Sequence, residues 1–192
     1  MPPDLSKEDE QEYQAVCDDL GPIYGSQWRN FNGDGYDQLQ MLLVSLEANP
    51  NSRRMVVSAW NPNDLCRQAL PPCHVLWQVV VTGDVMDLVW FQRSADAFLG
   101  LPFDIASFGL LLSLLAQQFG YKAGRLVASF GDMHLYNNHL EQAAFLVERP
   151  TKELPKLQIN DSFKDLLSFE SKTDVELIGY DPAPNIKAEV SV

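Results

Sequence analysis

Two apolar segments joined by Gly83-Asp84 constrain the fold of this chain most strongly. The first segment, Cys73–Thr82, is rich in β-branched residues, as a buried strand is. Gly83-Asp84 is a typical hairpin turn, and Met86–Arg93 is the predicted returning strand. The sequence therefore predicts a β-hairpin at the centre of the fold, which other elements must cover.

Helical and extended patterns surround this hairpin without regular βαβ alternation. Leucines at helical spacing predict a helix over Tyr36–Ala48, and a long apolar run predicts a core helix over Asp104–Phe119. The other predicted elements are helices at Lys7–Val16, Asn61–Ala69 (or a turn), Leu135–Arg149 and Ser162–Leu167, and strands at Met55–Trp60, Gly124–Phe130, Leu154–Ile159 and Val175–Ile178. This mixture favours an α+β fold, with residues 1–192 forming one domain.

Composition excludes several classes of function. The 192 residues include 26 Asp+Glu against 14 Lys+Arg, a net charge of −12, which argues against a nucleic-acid polymer as partner. Three cysteines without CxxC spacing argue against a disulfide framework or a metal site and fit the cytoplasm. The most apolar stretch, Ile105–Ala116, is shorter than the roughly 20 residues that span a bilayer, so no membrane partner is expected.

The strongest local signal for chemistry is Leu70-Pro71-Pro72-Cys73-His74. Prolines cannot join a central ladder, so the pair predicts an ordered loop that ends in a thiol at the start of a strand. Cys73 is therefore a candidate nucleophile. The alternative is a structural thiol, which is the more common role of a free cysteine.

Two arginine-containing segments could bind a phosphate. Arg93 and Ser94 follow the returning strand, and together a forked guanidinium and a hydroxyl offer three donors. A cation near Cys73 would also raise its thiolate fraction. Arg53-Arg54 is the only arginine pair in the chain. For both segments the alternative is a solvated charge or a surface salt bridge.

The segment Gly131–His139 concentrates hydrogen-bonding side chains. On an extended backbone His134 and Tyr136 point the same way, which suits a sugar hydroxyl, although a helix cap explains the segment equally well. Asp104 stands at the predicted start of the long helix, where an N-cap is its simplest role.

Taken together, these segments resemble the thymidylate synthase family, which includes the deoxycytidylate hydroxymethylases. The matching segments follow the family's order and are Leu20–Arg29, Ser52–Pro62, Leu70–His74, Gln92–Asp104, Gly131–His139 and Gly179–Pro182. The resemblance implies a mixed sheet packed against helices and a two-fold homodimer formed through that sheet. It also implies a pyrimidine nucleoside monophosphate as substrate and 5,10-methylenetetrahydrofolate as co-substrate.

By this resemblance, Cys73 is the nucleophile that adds to C6 of the pyrimidine and makes C5 nucleophilic. Cys73, Asp104 and Arg93 are the implied catalytic residues. The implied nucleotide ligands are Arg93 and Ser94 for phosphate, Arg53 and Arg54 for phosphate across the dimer interface, His134 and Tyr136 for the 3′-hydroxyl, and Asp96 and Asp104. The implied folate contacts are Asp96, Leu70, Leu99, Gly100, Phe103 and the carboxylate of Val192.

Asp104 departs from the pattern of thymidylate synthases, which carry Asn here. The Asn amide accepts from uracil N3–H and donates to O4, whereas an ionised carboxylate has no donor for O4. Cytosine presents an amino donor at N4, and an acidic residue can also share a proton with N3. Asp at this position resembles the deoxycytidylate hydroxymethylases, so we expect dCMP as the substrate.

Further departures concern the rest of the pattern. The chain is expected to lack about the first quarter of the family pattern, including a phosphate-binding arginine and a glutamate that organises proton transfer. Glu10 and Tyr13 stand nearest to the positions of the tryptophans expected before Leu20. Phe130 replaces a glycine and Phe108 a tyrosine, which makes the expected base site more apolar.

Three functional hypotheses follow. The first is a folate-dependent 5-hydroxymethylase of dCMP, and the second is a thymidylate synthase that methylates dUMP. The third is a nucleotide-binding homologue without catalytic activity.

Overall fold

The computed structural model describes residues 19–191, so the predicted helix Lys7–Val16, Cys17 and Val192 lie outside the described residues. The α-helices are α1 (Gly25–Arg29), α2 (Gln38–Ala48), α3 (Gly100–Phe119) and α4 (Leu140–Val147). The strands are β1 (Val56–Ser58), β2 (His74–Thr82), β3 (Val85–Asp96), β4 (Lys122–His134), β5 (Lys156–Ile159) and β6 (Val175–Ile178). Short 3₁₀ helices lie at Leu65–Arg67, Asn137–His139 and Leu166–Ser168.

The predicted hairpin forms the middle of a four-stranded mixed sheet with the order β1-β2-β3-β4. Thr82 pairs with Val85 across the turn, where Gly83 has a positive φ of 61°. β1 and β2 are antiparallel, as are β2 and β3, whereas β3 and β4 run parallel because α3 connects them. The mixed sheet covered by helices confirms the predicted α+β fold.

The core lies between this sheet and the helices α2 and α3. Its members are apolar, buried and in mutual contact, and they include the large side chains Trp77, Trp90, Phe108, Met55 and Met86. The leucines that predicted α2 are all buried, and the Asp37 side chain caps this helix by accepting from the Gln40 backbone N–H at 2.9 Å.

Helix α3 begins four residues earlier than predicted, so Asp104 is not its N-cap. The Asp96 carboxylate accepts from the backbone N–H groups of Phe98 and Leu99, and Pro102 lies in the first turn, where its missing N–H costs nothing. Asp104 therefore projects from inside the helix. Gly120, with a positive φ of 72°, ends the helix as predicted.

The apolar stretch Ile105–Ala116 was expected to be too short to span a bilayer, but the helix that contains it, α3, has 20 residues. Within residues 19–191, α3 is the one helix whose length and composition would suffice to cross a bilayer. One face of α3 packs against β3 and β4 through the core residues Phe108, Leu112 and Leu115.

Several predicted boundaries were wrong for tertiary reasons. β3 and β4 extend beyond Arg93 and Phe130 because they pair with each other as far as Asp96 and His134. The predicted strands Met55–Trp60 and Leu154–Ile159 and the predicted helices Asn61–Ala69, Leu135–Arg149 and Ser162–Leu167 are shorter than expected. α1 was not predicted, since its five residues are too few to show helical periodicity.

Candidate functional site

Cys73 lies immediately before β2, half-buried, and its backbone is fixed on both sides. Its N–H donates to the Tyr24 hydroxyl at 2.9 Å, and its carbonyl accepts from the Arg93 N–H at 2.9 Å. The predicted Pro-Pro loop thus places Cys73 at the start of the interior strand β2, next to the first pair of the β2–β3 ladder. This arrangement is what a positioned nucleophile requires.

Arg93 holds the loop through its guanidinium. Nε donates to the Pro72 carbonyl at 3.0 Å, and Nη2 donates to the Pro71 carbonyl at 2.7 Å. The guanidinium carbon lies 5.9 Å from the centroid of the Trp60 ring, within cation–π range. The structure therefore brings the predicted cation and the predicted nucleophile together and leaves other guanidinium N–H groups for a ligand.

Asp104 lies at the centre of a polar cluster beside this loop. His74 Nε2 is 2.9 Å from Asp104 Oδ1, and Gln92 Nε2 donates to Asp104 Oδ2 at 2.8 Å. Burial acts to raise the pKa of Asp104, but the hydrogen bonds from His74 and Gln92 outweigh it and hold the pKa below the ordinary 3.8. The residue is therefore an ionised acceptor at neutral pH.

A β-bulge positions the two residues that contact Asp104. His74 and Gln92 are direct partners across β2 and β3, and Val75 is the extra residue that shifts the register beside them. Asp104 and Phe108 lie one turn apart on the face of α3 that meets this point. The ring of Phe108 contacts that of His74 with a centroid distance of 5.2 Å.

Tyr24 lies between Cys73 and the polar cluster, because its hydroxyl accepts from the Cys73 N–H and its ring contacts His74. Its φ of 32° lies in the left-handed region, an unfavourable conformation for an aromatic residue, and its ring contacts that of His74 with a centroid distance of 5.3 Å. Burial is the largest cause that raises the pKa of Tyr24 above its usual 10.0, and the neighbouring Cys73 side chain and Asp104 carboxylate act in the same direction. The hydroxyl therefore stays protonated beside the thiol.

The residues predicted to bind phosphate and sugar within one subunit line the ends of β3 and β4. Ser94 pairs with Asp132, and Asp96 pairs with His134, so the four residues form two adjacent rows. The rings of His134 and Tyr136 make an edge contact at a centroid distance of 4.8 Å, which confirms that their side chains lie together. The Nδ1 atom of His134 also lies 3.4 Å from Asp132 Oδ1.

Gly131 allows β4 to approach this part of β3 closely. A Cβ atom at residue 131 would lie 2.8 Å from the backbone oxygen of Arg93. A side chain would therefore separate the two strands at the point where Arg93 reaches the cysteine loop.

The predicted folate contacts Leu99 and Phe103 line an open cavity of about 780 Å³. The opposite wall is formed by residues 185–189 of the C-terminal tail and by Asn138 and Gln142. Phe103 is 74% exposed, Leu70 is exposed, and Gly100 lies at the start of α3, where an added Cβ would meet only the Asp96 side chain, at 3.6 Å. Of the predicted folate contacts, only Leu99 and Phe103 line this cavity. Val192 lies outside the described residues.

The buried side chain of His139 ties the tail to this wall. Its Nε2 lies 2.7 Å from the Glu189 carbonyl, and its ring contacts those of Phe98 and Tyr136. Ser191 also donates to the Asn138 side chain at 3.0 Å. The end of the described chain is thereby fixed over the cavity.

Arg53 and Arg54 are not brought to this site within the subunit. Both are exposed, and the Arg53 carbonyl accepts from Gln78. Gln78 lies further along β2 from Cys73, roughly 16 Å away at about 3.3 Å per residue.

Sequence reasoning missed the contributions of Tyr24, His74 and Gln92. His74 and Gln92 stand inside the recognised motifs, and their proximity to Asp104 could have been inferred only from the strand register. No group of three His, Cys, Asp or Glu side chains in residues 19–191 is arranged to hold a metal ion.

The family model described as thymidylate synthase matches residues 6–192 of this chain. The match spans all of the elements and all of the site residues described above.

Proposed function

The chain belongs to the thymidylate synthase family, and from this premise we propose that it hydroxymethylates C5 of deoxycytidylate. Members of this family transfer a one-carbon unit to C5 of a pyrimidine nucleotide and use methylenetetrahydrofolate as co-substrate. The observation that carries the proposal for dCMP is the carboxylate of Asp104, held as an ionised acceptor by His74 and Gln92.

Cys73 begins the proposed reaction. Its thiolate adds to C6 of the base, because this addition turns the ring into an enamine that is nucleophilic at C5. The hydrogen bonds of its backbone with Tyr24 and Arg93 support this role, since a fixed nucleophile loses less entropy on reaching the reactive geometry.

Asp104 selects the base. Two donors from the protein occupy one lone pair on each carboxylate oxygen and leave the remaining lone pairs for the ligand. The amino group at N4 of cytosine donates to such an acceptor, whereas the O4 carbonyl of uracil is repelled by it. When N3 of cytosine carries a proton, it adds a charge-assisted hydrogen bond.

The remaining ligand contacts follow the arrangement of the strands. Arg93 and Ser94 bind the phosphate within the subunit, and His134 and Tyr136 bind the 3′-hydroxyl. Asp96, Leu70, Leu99, Gly100 and Phe103 would hold the folate, together with the carboxylate of Val192. When bound, the folate would supply the one-carbon unit at the oxidation level of formaldehyde. Water would supply the hydroxyl oxygen, the C5 proton would leave to solvent, and the bond between Cys73 and C6 would break, so no oxidant or reductant is consumed.

Arg53 and Arg54 complete the site from a second copy of the chain. Their exposure, and their distance from Cys73 in the same subunit, support this assignment. We propose a homodimer through the sheet, in which each arginine pair binds the phosphate of the partner subunit's nucleotide. The proposed location is the cytoplasm.

Incubation with labelled methylenetetrahydrofolate and either dCMP or dUMP tests the proposed function. We expect label on dCMP, as 5-hydroxymethyl-dCMP, and no rise in absorbance from dihydrofolate. Cys73→Ser should abolish turnover, and Cys66→Ser, which removes an exposed thiol, is the matched control. Label on dUMP alone with formation of dihydrofolate would identify a thymidylate synthase, and nucleotide binding without turnover would identify a non-catalytic homologue.

A further inference from the structure

A chain of hydrogen bonds runs from Trp90 through Gln92 to Asp104. Gln92, which donates to Asp104, is only 2% exposed and has three polar contacts. Its Nε2 donates to Asp104 Oδ2 at 2.8 Å and to the Ser94 carbonyl at 3.0 Å, and its Oε1 accepts from the indole Nε1–H of Trp90 at 3.2 Å. All the hydrogen-bonding groups of this buried amide therefore have partners.

The chemistry of these partners allows a single orientation of the amide. An indole N–H only donates, so the amide oxygen of Gln92 must face Trp90. The amide nitrogen then faces Asp104 and donates to it. Trp90 and Gln92 lie two residues apart on β3, so both point into the core from the same face of the sheet.

The indole of Trp90 is itself held between two aromatic rings. Phe108 stacks on it with a centroid distance of 5.0 Å and an interplanar angle of 19°. Phe130 makes an edge contact with it at 6.1 Å and 88°. These are the two phenylalanines that depart from the family pattern. In this structure the two phenylalanines hold the indole ring of Trp90, whose N–H donates to Gln92.

We propose that Trp90 is a positioning residue for base specificity, acting through Gln92 to keep Asp104 an ionised acceptor for the amino group of cytosine. This inference rests on the proposed function. Without the indole N–H, the Gln92 oxygen is buried without a donor, which is costly enough for the side chain to move. Asp104 then loses one of its two donors, and the preference for an amino group over a carbonyl falls.

Replacing Trp90 by Phe tests the inference, because this change removes the N–H and keeps an aromatic ring. The chain supplies a matched control in Trp77, the direct partner of Trp90 across β2 and β3. Trp77 is fully buried, and its indole Nε1 has no hydrogen-bond partner within the described part of the chain. Trp77→Phe therefore makes the same chemical change without breaking a hydrogen bond.

The dissociation constants of dCMP and dUMP are measured by calorimetry for the wild type and both variants. We expect Trp90→Phe to reduce the preference for dCMP about tenfold, as the loss of one buried hydrogen bond predicts, and Trp77→Phe to leave the ratio unchanged. A ratio unchanged in Trp90→Phe, or reduced equally in both variants, would overturn the inference.

The titration of Asp104, followed by carbon-13 NMR without nucleotide, separates this inference from the proposed function. Loss of the Gln92 donor should raise the pKa of Asp104 in Trp90→Phe but not in Trp77→Phe. A wild type without preference for dCMP contradicts the proposed function, whereas an unshifted titration contradicts the role of Trp90. If Trp90→Phe does not fold, Gln92→Met removes the same donor from Asp104. It must show the same two effects, and their absence overturns the inference.

Discussion

At the residue scale, Asp104 shows how neighbours set the state of a carboxyl group. It is only half-buried, and the donors His74 and Gln92 outweigh the effect of burial. Because its pKa is lower in the folded chain than the 3.8 of an ordinary aspartate, its ionisation favours folding. This contribution is complete above about pH 4 and is lost as the pH falls through the folded-state pKa.

We therefore predict that Asp104→Asn is less stable than the wild type at pH 6, and that the difference shrinks below about pH 4. Urea unfolding of both proteins at pH 6 and pH 3 measures this difference in the free energy of unfolding. Asp161→Asn is the control, because the Asp161 carboxylate is exposed and has no hydrogen bond or ion pair within the described residues. A difference for Asp104→Asn that stays constant with pH would contradict the assignment of the ionised form.

At the element scale, the parallel pair β3–β4 positions most of the site. Arg93, Ser94 and Asp96 lie on β3, and His134 ends β4 opposite Asp96. The close approach of the strands at Gly131 sets the spacing of these rows. The function of the site thus depends on a glycine that contacts no proposed ligand.

Gly131→Ala should lower the free energy of unfolding by about 1–3 kcal/mol, because its Cβ would press on the Arg93 backbone oxygen. Gly109→Ala is the matched control. In α3 the new Cβ would meet only Leu126 at 3.9 Å, so the change should stabilise the helix by about 0.5–1 kcal/mol. Denaturant unfolding of both variants measures these effects. Equal stability of Gly131→Ala and the wild type would show that the strands separate freely.

At the scale of the whole molecule, strand β4 leaves apolar side chains of the sheet exposed. β4 contains no fully buried residue, and Val127 and Met133 on it are exposed. Arg53 and Arg54 lie in the same subunit but remote from Cys73. A second copy packed on the open sheet would cover the apolar side chains and supply the missing cations, as we propose.

Mixed dimers test this sharing of residues. Cys73→Ser and the double variant Arg53→Ala/Arg54→Ala should each be inactive. After joint unfolding and refolding they should regain about a quarter of the wild-type activity, because half of the dimers are mixed and each mixed dimer has one intact site.

Cys73→Ser mixed with Arg93→Ala is the control, since both residues serve the same subunit's site and no mixed dimer has an intact one. Recovery in the control, or none in the first mixture, would contradict the exchange of arginines.

Local signals in the sequence determined much of this protein. Gly83-Asp84 and the apolar, β-branched segments on either side of it specified the central hairpin, because turn geometry and strand propensity act over a few residues. The two prolines before Cys73 specified a rigid loop for the same reason. The order of the motifs was sufficient to identify the family.

The tertiary structure alone decided how Asp104 is held. His74, Gln92 and Asp104 come from three elements, and a bulge at Val75 and an early start of α3 bring them together. The bulge depends on strand register, and the start of α3 follows the turn in which the Asp96 carboxylate accepts from the backbone N–H groups of Phe98 and Leu99. The hydrogen bond from Trp90 to Gln92 follows from period-two spacing, but its importance depends on burial. A buried amide must satisfy all of its groups, and burial is a property of the assembled core.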